Sequence, residues 1–192
     1  MMRPIIFLLI LLTFCSKAGS QQLDTPGLPA SKISEIKEFI KGKKYSQELA
    51  VFINYKIPSG KYRYFIYNLK RNTVVQKAVV SHGSGSVIPR SESLQFSNVE
   101  GSYQTSLGKY EIGESYVGKF GKAYRLIGLD ATNSNAMQRA IVLHSYGCVP
   151  DKESQNPVCL SLGCPMLSAN ALNRTAAYID QSEDPVILYA FY

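Results

Sequence analysis

Three runs of β-forming residues, cut by two tight turns, constrain this chain more than any other feature. Leu49 to Tyr55, Tyr62 to Leu69 and Val74 to Ser81 are rich in Val, Ile, Phe and Tyr, residues that suit a pleated, half-buried surface. Pro58-Ser59-Gly60-Lys61 and Lys70-Arg71-Asn72 separate them and hold the Pro, Gly and Asn that turns use. Connections this short join neighbours antiparallel, so residues 49–81 read as a β-meander. Further strand candidates are Lys109 to Tyr116, Ala123 to Leu129, Ala140 to His144, and Val186 to Tyr192 after Pro185. Gly83 to Asn98 is rich in Ser and Gly and reads as a long loop.

Two segments read as helices. Ser31 to Ser46 places Ile33, Ile36, Phe39 and Ile40 on one face. Ser168 caps a second helix over Ala169 to Ile179. Many short strands and few helices give a mainly β fold, a sandwich or partly open barrel. One helix precedes the strands and one follows Cys164, both at the periphery.

Residues 1–20 stand apart from that fold and read as an export signal. Arg3 supplies the positive start, Ile5 to Phe14 the apolar stretch, and Ala18-Gly19-Ser20 the small-residue cleavage site. The stretch is too short for a membrane span, so no transmembrane segment is expected after cleavage. A lipid anchor on Cys15 is disfavoured by the bulky Phe14 before it. The expected fate is export with full release. Residues 21–48 form an N-terminal segment and helix, and 49–192 the main domain. The roughly 172 residues left after cleavage suffice for one core. The formal charge is +7, and removing Arg3 and Lys17 leaves +5. That surplus suits an anionic polymer such as a cell wall, or ordinary solubility. The basic residues are scattered and no recognition module is visible, so nucleic acid is not an expected partner.

Export implies an oxidising compartment, where thiols pair. Cys148, Cys159 and Cys164 remain after cleavage, and an odd count leaves one thiol free. A Cys148–Cys159 disulfide would staple the polar loop between them and free Cys164. Pairing Cys159 with Cys164 is the structural alternative. No Cys-x-x-Cys or His-x-x-x-His spacing is present, so neither a metal nor a cofactor is expected. A free thiol beside a histidine is a nucleophile with a base. His144 ends an apolar strand candidate, and Cys164 follows Gly163, which lets a substrate approach the backbone closely.

Val142-Leu143-His144-Ser145, then Ser161-Leu162-Gly163-Cys164-Pro165, resembles the catalytic signature of the YkuD-type murein L,D-transpeptidases. It is most similar to a branch lacking the usual His before Gly-Cys. Ser81-His82-Gly83-Ser84-Gly85-Ser86, Phe96-Ser97-Asn98, Gly101-Ser102-Tyr103, Ser106-Leu107-Gly108 and Arg139 to His144 also resemble blocks of that branch, in order. The resemblance spans about residues 49–170, and the blocks together are a strong signal where each alone is weak. It implies a β-rich envelope enzyme acting on peptidoglycan stem peptides. Such an enzyme cleaves the bond between the third and fourth stem residues. The acyl group passes through a Cys thioester to an amine or to water, and carbapenems acylate the same thiol. Carried over, Cys164 is the nucleophile and His144 the base. Ser145 orients the imidazole, Ser161 and Gly163 build the loop, and the Gly163 and Cys164 N–H groups face the oxyanion. Leu162 stands where many relatives carry a histidine. His82 is the candidate spatial substitute, with a strand-end histidine bonded to a carbonyl as its plainer reading. An L,D-carboxypeptidase hydrolysing the same bond, and an inactive wall-binding protein, are the alternatives.

Overall fold

The three β runs become β1 (Leu49–Asn54), β2 (Tyr64–Asn68) and β3 (Thr73–Ala78), an antiparallel meander, in a computed structural model that describes residues 26–192. The expected export signal and the Cys15 anchor lie outside the described residues. β4 (Gly108–Gly118) and β5 (Gly121–Gly128) form a hairpin, followed by β6 (Val142–Ser145), β7 (Met166–Leu167) and β8 (Ile187–Phe191). All eight strands belong to one sheet, ordered β3-β2-β1-β8-β4-β5-β6-β7. The last strand enters the middle. β8 lies parallel to β1 on one side and antiparallel to β4 on the other, and so joins the meander to the segments that carry Cys164 and His144.

The sheet curls until its edges nearly meet. The chain after β3 bonds to β7 and to the chain before it, with Ser81 N–H donating to Met166 O at 3.0 Å and Ser161 N–H to His82 O at 2.9 Å. Ser84 N–H donates to Ser161 O at 2.7 Å. Closure satisfies edge groups that would otherwise template foreign strands. It also brings the His82 segment against the Cys164 loop, although 81 and 164 are far apart in sequence.

Alternation along the strands sorts side chains to two sides. Val51, Ile53, Tyr64, Ile66, Leu126, Leu143, Leu167 and Leu188 fill the interior. Ala50, Phe52, Phe65, Tyr67, Ile187 and Tyr189 face outward and are also buried. They are covered by α1 (Ala30–Ile40) through Ile33, Ile36 and Ile40. Each such side chain contributes about 1.5–3 kcal/mol by leaving water. α2 (Ala169–Ile179) sends Ala171, Leu172, Ala176 and Ile179 into the interior cluster, so one helix helps fill the barrel while the other covers its outside. Ser168 caps α2 as expected, its Oγ accepting from Ala171 N–H at 3.0 Å. α1 is shorter than the sequence suggested. Lys41 turns extended and Gly42 takes φ +70°, and the Gln47 amide then donates to the carbonyls of Ile40 and Tyr45.

The Ser/Gly-rich stretch is irregular, with a short 3-10 turn at Ser84–Ser86, but it is not free-standing. A Cβ on Gly83 would lie 2.2 Å from Tyr103 O, and one on Gly85 2.0 Å from Ser102 O. Glycine is what lets these two backbones touch.

Candidate active site

The turn before Cys164 is held by its own side chains. Ser161 Oγ donates to Cys164 O at 2.7 Å and accepts Gly163 N–H at 3.1 Å. Gly163 has φ +124°, and a Cβ there would stand 3.0 Å from both Gln104 O and Ile141 Cδ1. Both backbone conformation and space therefore demand glycine. The Gly163 N–H, expected to face an oxyanion, is instead engaged by Ser161. Among the described residues the Cys164 N–H makes no hydrogen bond. Leu162 is 67% exposed and projects away from this packing.

Cys164 is half-buried and is the free cysteine among the described residues. Its Sγ receives Val142 N–H at 3.5 Å and lies 3.7 Å from Ala140 O, which the thiol hydrogen can reach. Ala140 has φ +52°, an uncommon conformation for alanine that aims this carbonyl at the sulfur. Burial pushes the thiol above its ordinary range, while the Val142 N–H and the Arg139 charge pull it down.

His144 sits on β6 beside β7, paired with Met166 two residues beyond Cys164. Its Nδ1 is 3.0 Å from Ser145 O. A carbonyl only accepts, so Nδ1 carries the proton and Nε2 keeps a lone pair. Ser145 thus orients the imidazole through its backbone, not its hydroxyl. Burial lowers the His144 pKa, partly offset by that bond. Phe120, from the β4–β5 turn, stacks on the imidazole at 5.0 Å, and Tyr146 meets Phe120 edge-on at 5.3 Å. No hydrogen bond joins the imidazole to Sγ. The fold places the two on adjoining segments, with His144 paired to Met166 two residues beyond Cys164.

His82 lies in a different setting. Arg63, 1% exposed, donates through Nη2 to His82 Nδ1 at 2.8 Å, through Nε to Val80 O at 2.9 Å and through Nη1 to Ile57 O at 3.2 Å. Because arginine only donates, Nδ1 is the acceptor and Nε2 bears the proton. Burial, then the Arg63 charge, pulls the His82 pKa down to about 4. The ring is therefore neutral in ordinary solution and its accepting nitrogen is occupied. His82 Nε2 is buried without a partner. With Nδ1 occupied by Arg63, the ring presents only its buried Nε2 proton.

Cys148 and Cys159 form a disulfide with Cα atoms 6.1 Å apart. The loop it closes rests on the turn between β1 and β2. Ser154 N–H donates to Gly60 O at 2.9 Å, Tyr62 N–H to Glu153 Oε1 at 2.8 Å and Val158 N–H to Ser59 Oγ at 3.2 Å. A Cβ on Gly60 would fall 2.4 Å from Asn156 O. Removing the bridge is expected to cost about 2–3 kcal/mol in the chain-entropy account. A Cys148→Ser/Cys159→Ser pair should lower the urea midpoint with little change in slope; an unchanged midpoint would refute this.

The family model of the L,D-transpeptidase catalytic domain matches residues 24–191. The chain belongs to that family. No curated protein matches it. Solved structures similar to this L,D-transpeptidase-family chain include three at low identity. An L,D-transpeptidase from Xylanimonas cellulosilytica is 11% identical with a TM-score of 0.44, the match covering 85% of this chain and 70% of that one. An L,D-transpeptidase from Mycobacterium smegmatis is 12% identical with a TM-score of 0.42, covering 76% and 59%. A helical cell shape determining protein from Campylobacter jejuni is 16% identical with a TM-score of 0.47, covering 85% and 56%.

Within this family member, the expected site residues separate into two groups. Ser161, Gly163, Cys164, His144 and Ser145 gather around β6 and β7, while His82 lies in the adjoining closure and bonds Arg63. A cleft of about 680 Å³ lined by Ser46, Glu48, Asn68, Lys70 and Tyr178 lies at the other ends of β1 and β2, away from the thiol. Arg139, Phe120 and Arg63 carried no assigned role in the sequence reading. Arg139 opens a block similar to the family's, the one signal that pointed to it.

Proposed function

We propose that this chain is a murein L,D-transpeptidase that works through a Cys164 thioester with His144 as base. The observation that carries this reading is the free Cys164 thiol beside β6. A backbone N–H is aimed at its sulfur, and a neighbouring imidazole has its tautomer set with Nε2 available. His144 Nε2 takes the thiol proton, and Sγ attacks the carbonyl of the third stem residue. The Cys164 N–H supports the oxyanion. The C–N bond to the fourth residue breaks, and the proton on His144 goes to the departing amine. An amine on a neighbouring stem then attacks the thioester, giving up a proton to His144 Nε2, and Sγ leaves and recovers that proton. No hydrogen bond joins thiol and imidazole in the free protein, and catalytic hydrogen bonds commonly tighten in the substrate complex.

Peptidoglycan stem peptides are the substrate in this reading, and the cell envelope is the location. The disulfide suits an oxidising compartment. Among the described residues no helix is long and apolar enough to cross a membrane. The test is to incubate the purified protein, disulfide intact, with a disaccharide tetrapeptide and resolve the products by mass. Cross-linked dimers are expected. Tripeptide alone would identify the carboxypeptidase, and unchanged substrate would overturn the enzymatic reading.

A further inference from the structure

Arg139 is a cation near the Cys164 turn that the mechanism above leaves unused. It precedes β6, and its guanidinium is moored by two backbone carbonyls, Nη1 to Ser97 O at 2.8 Å and Nη2 to Gln104 O. Among the described residues no carboxylate pairs with it. Nη2 stands 3.3 Å from where a Cβ on Gly163 would lie, so the charge packs against the residue before the thiol. The same short segment supplies the two backbone groups on the sulfur, the Ala140 carbonyl and the Val142 N–H. His144 makes no hydrogen bond to Sγ, and its Nδ1 is committed to Ser145 O.

We propose that Arg139 holds the counter-charge of the Cys164 thiolate, a part that an imidazolium plays in the ordinary Cys–His pair. The Ala140 carbonyl favours the thiol, while Val142 N–H and Arg139 favour the thiolate, so the segment before β6 sets the balance between the two forms. The proton leaves to water in the resting protein and through His144 Nε2 during turnover. What Arg139 adds is charge, held in place by its carbonyl moorings. The other titratable groups around the sulfur do not compete. Tyr55 and Tyr110 are pushed up by burial, Tyr110 to about 12, and stay neutral. The two histidines are held toward their neutral forms by burial. Arg139 is a positioning and electrostatic residue here, since no contact with a reacting atom is claimed for it.

This inference rests on Cys164 being the nucleophile, but its test reads the thiol alone. The rate of iodoacetamide alkylation of Cys164 is measured against pH on the intact, disulfide-bonded protein. Arg139→Gln is expected to raise the midpoint by about one pH unit, slowing alkylation near neutral pH by about tenfold. Arg139→Lys keeps the charge and should retain most of the wild-type midpoint. His144→Ala should leave the midpoint in place. An unchanged midpoint in a folded Arg139→Gln protein overturns the proposal, and so does a rise of about one unit in His144→Ala. Near-ultraviolet circular dichroism checks folding, because Arg139→Gln also releases two loop carbonyls. If that variant does not fold, Arg139→Lys decides: charge retained without the guanidinium fork should hold the midpoint near the wild type, and a rise of about one unit overturns the proposal. Failure of carbapenem capture at Cys164 would strike the transpeptidase reading and leave this measurement standing.

Discussion

Cys164→Ala is expected to leave the protein folded and to abolish both covalent capture of a carbapenem and every product from the disaccharide tetrapeptide. The folding expectation follows from what the sulfur touches. It is half-buried and makes two long contacts, to Val142 N–H and Ala140 O. The turn itself is held by Ser161 Oγ and by glycine at 163, none of which changes. The loss of chemistry is complete because Cys148 and Cys159 are bonded to each other, leaving no second free thiol among the described residues. Intact mass after carbapenem incubation should show one adduct in the wild type, and peptide mapping should place it on Cys164. An adduct that persists in the variant on another residue would refute the assignment.

His144→Ala is expected to lower the acylation rate by ~10²–10⁴-fold, the usual effect of losing a positioned base, with the fold retained by circular dichroism. The pH profile carries a second check. His144 acts as a base only when neutral, so the rate falls as pH drops through its pKa. Burial lowers that pKa below its ordinary 6.5, which places the acid limb below pH 6.5. His82 should behave differently. His82→Asn keeps an acceptor for Arg63 in the place of Nδ1, and should cost far less than His144→Ala. If the order of the two variants is reversed, with both folded, the base is His82 and the assignment here fails. An acid limb above pH 6.5 would separately exclude a buried, neutral His144 as the titrating group.

Much of the fold was legible because the β periods and turn residues are local. The β1–β2–β3 meander, the strands β4 and β5 and the Ser168 cap of α2 all follow from short stretches of residues. The same holds for the blocks around His144 and Cys164, whose order along the chain carried the family resemblance. Less legible were features made by distant segments meeting. β7 has only Met166 and Leu167 and exists because β6 lies beside it. β8 was readable as a strand, but its place between β1 and β4 depends on closing a long loop. Nothing local marks Phe120 as the residue that stacks on His144, or Arg63 as the donor to His82.

The local sequence determined which segments become strands and helices, which cysteines flank the polar loop, and which residue types carry the candidate chemistry. Those properties depend on neighbours a few positions away, through backbone preference and side-chain period. Only the tertiary structure decided what each site residue is bonded to. It gave the Gly163 N–H to Ser161, the His144 Nδ1 to the Ser145 carbonyl and the His82 Nδ1 to Arg63. It also set Arg139 beside the thiol's own turn. Hydrogen bonds and charge effects act over a few ångströms in space, and spatial closeness in a curled sheet is set by strand pairing across the whole chain rather than by separation along it.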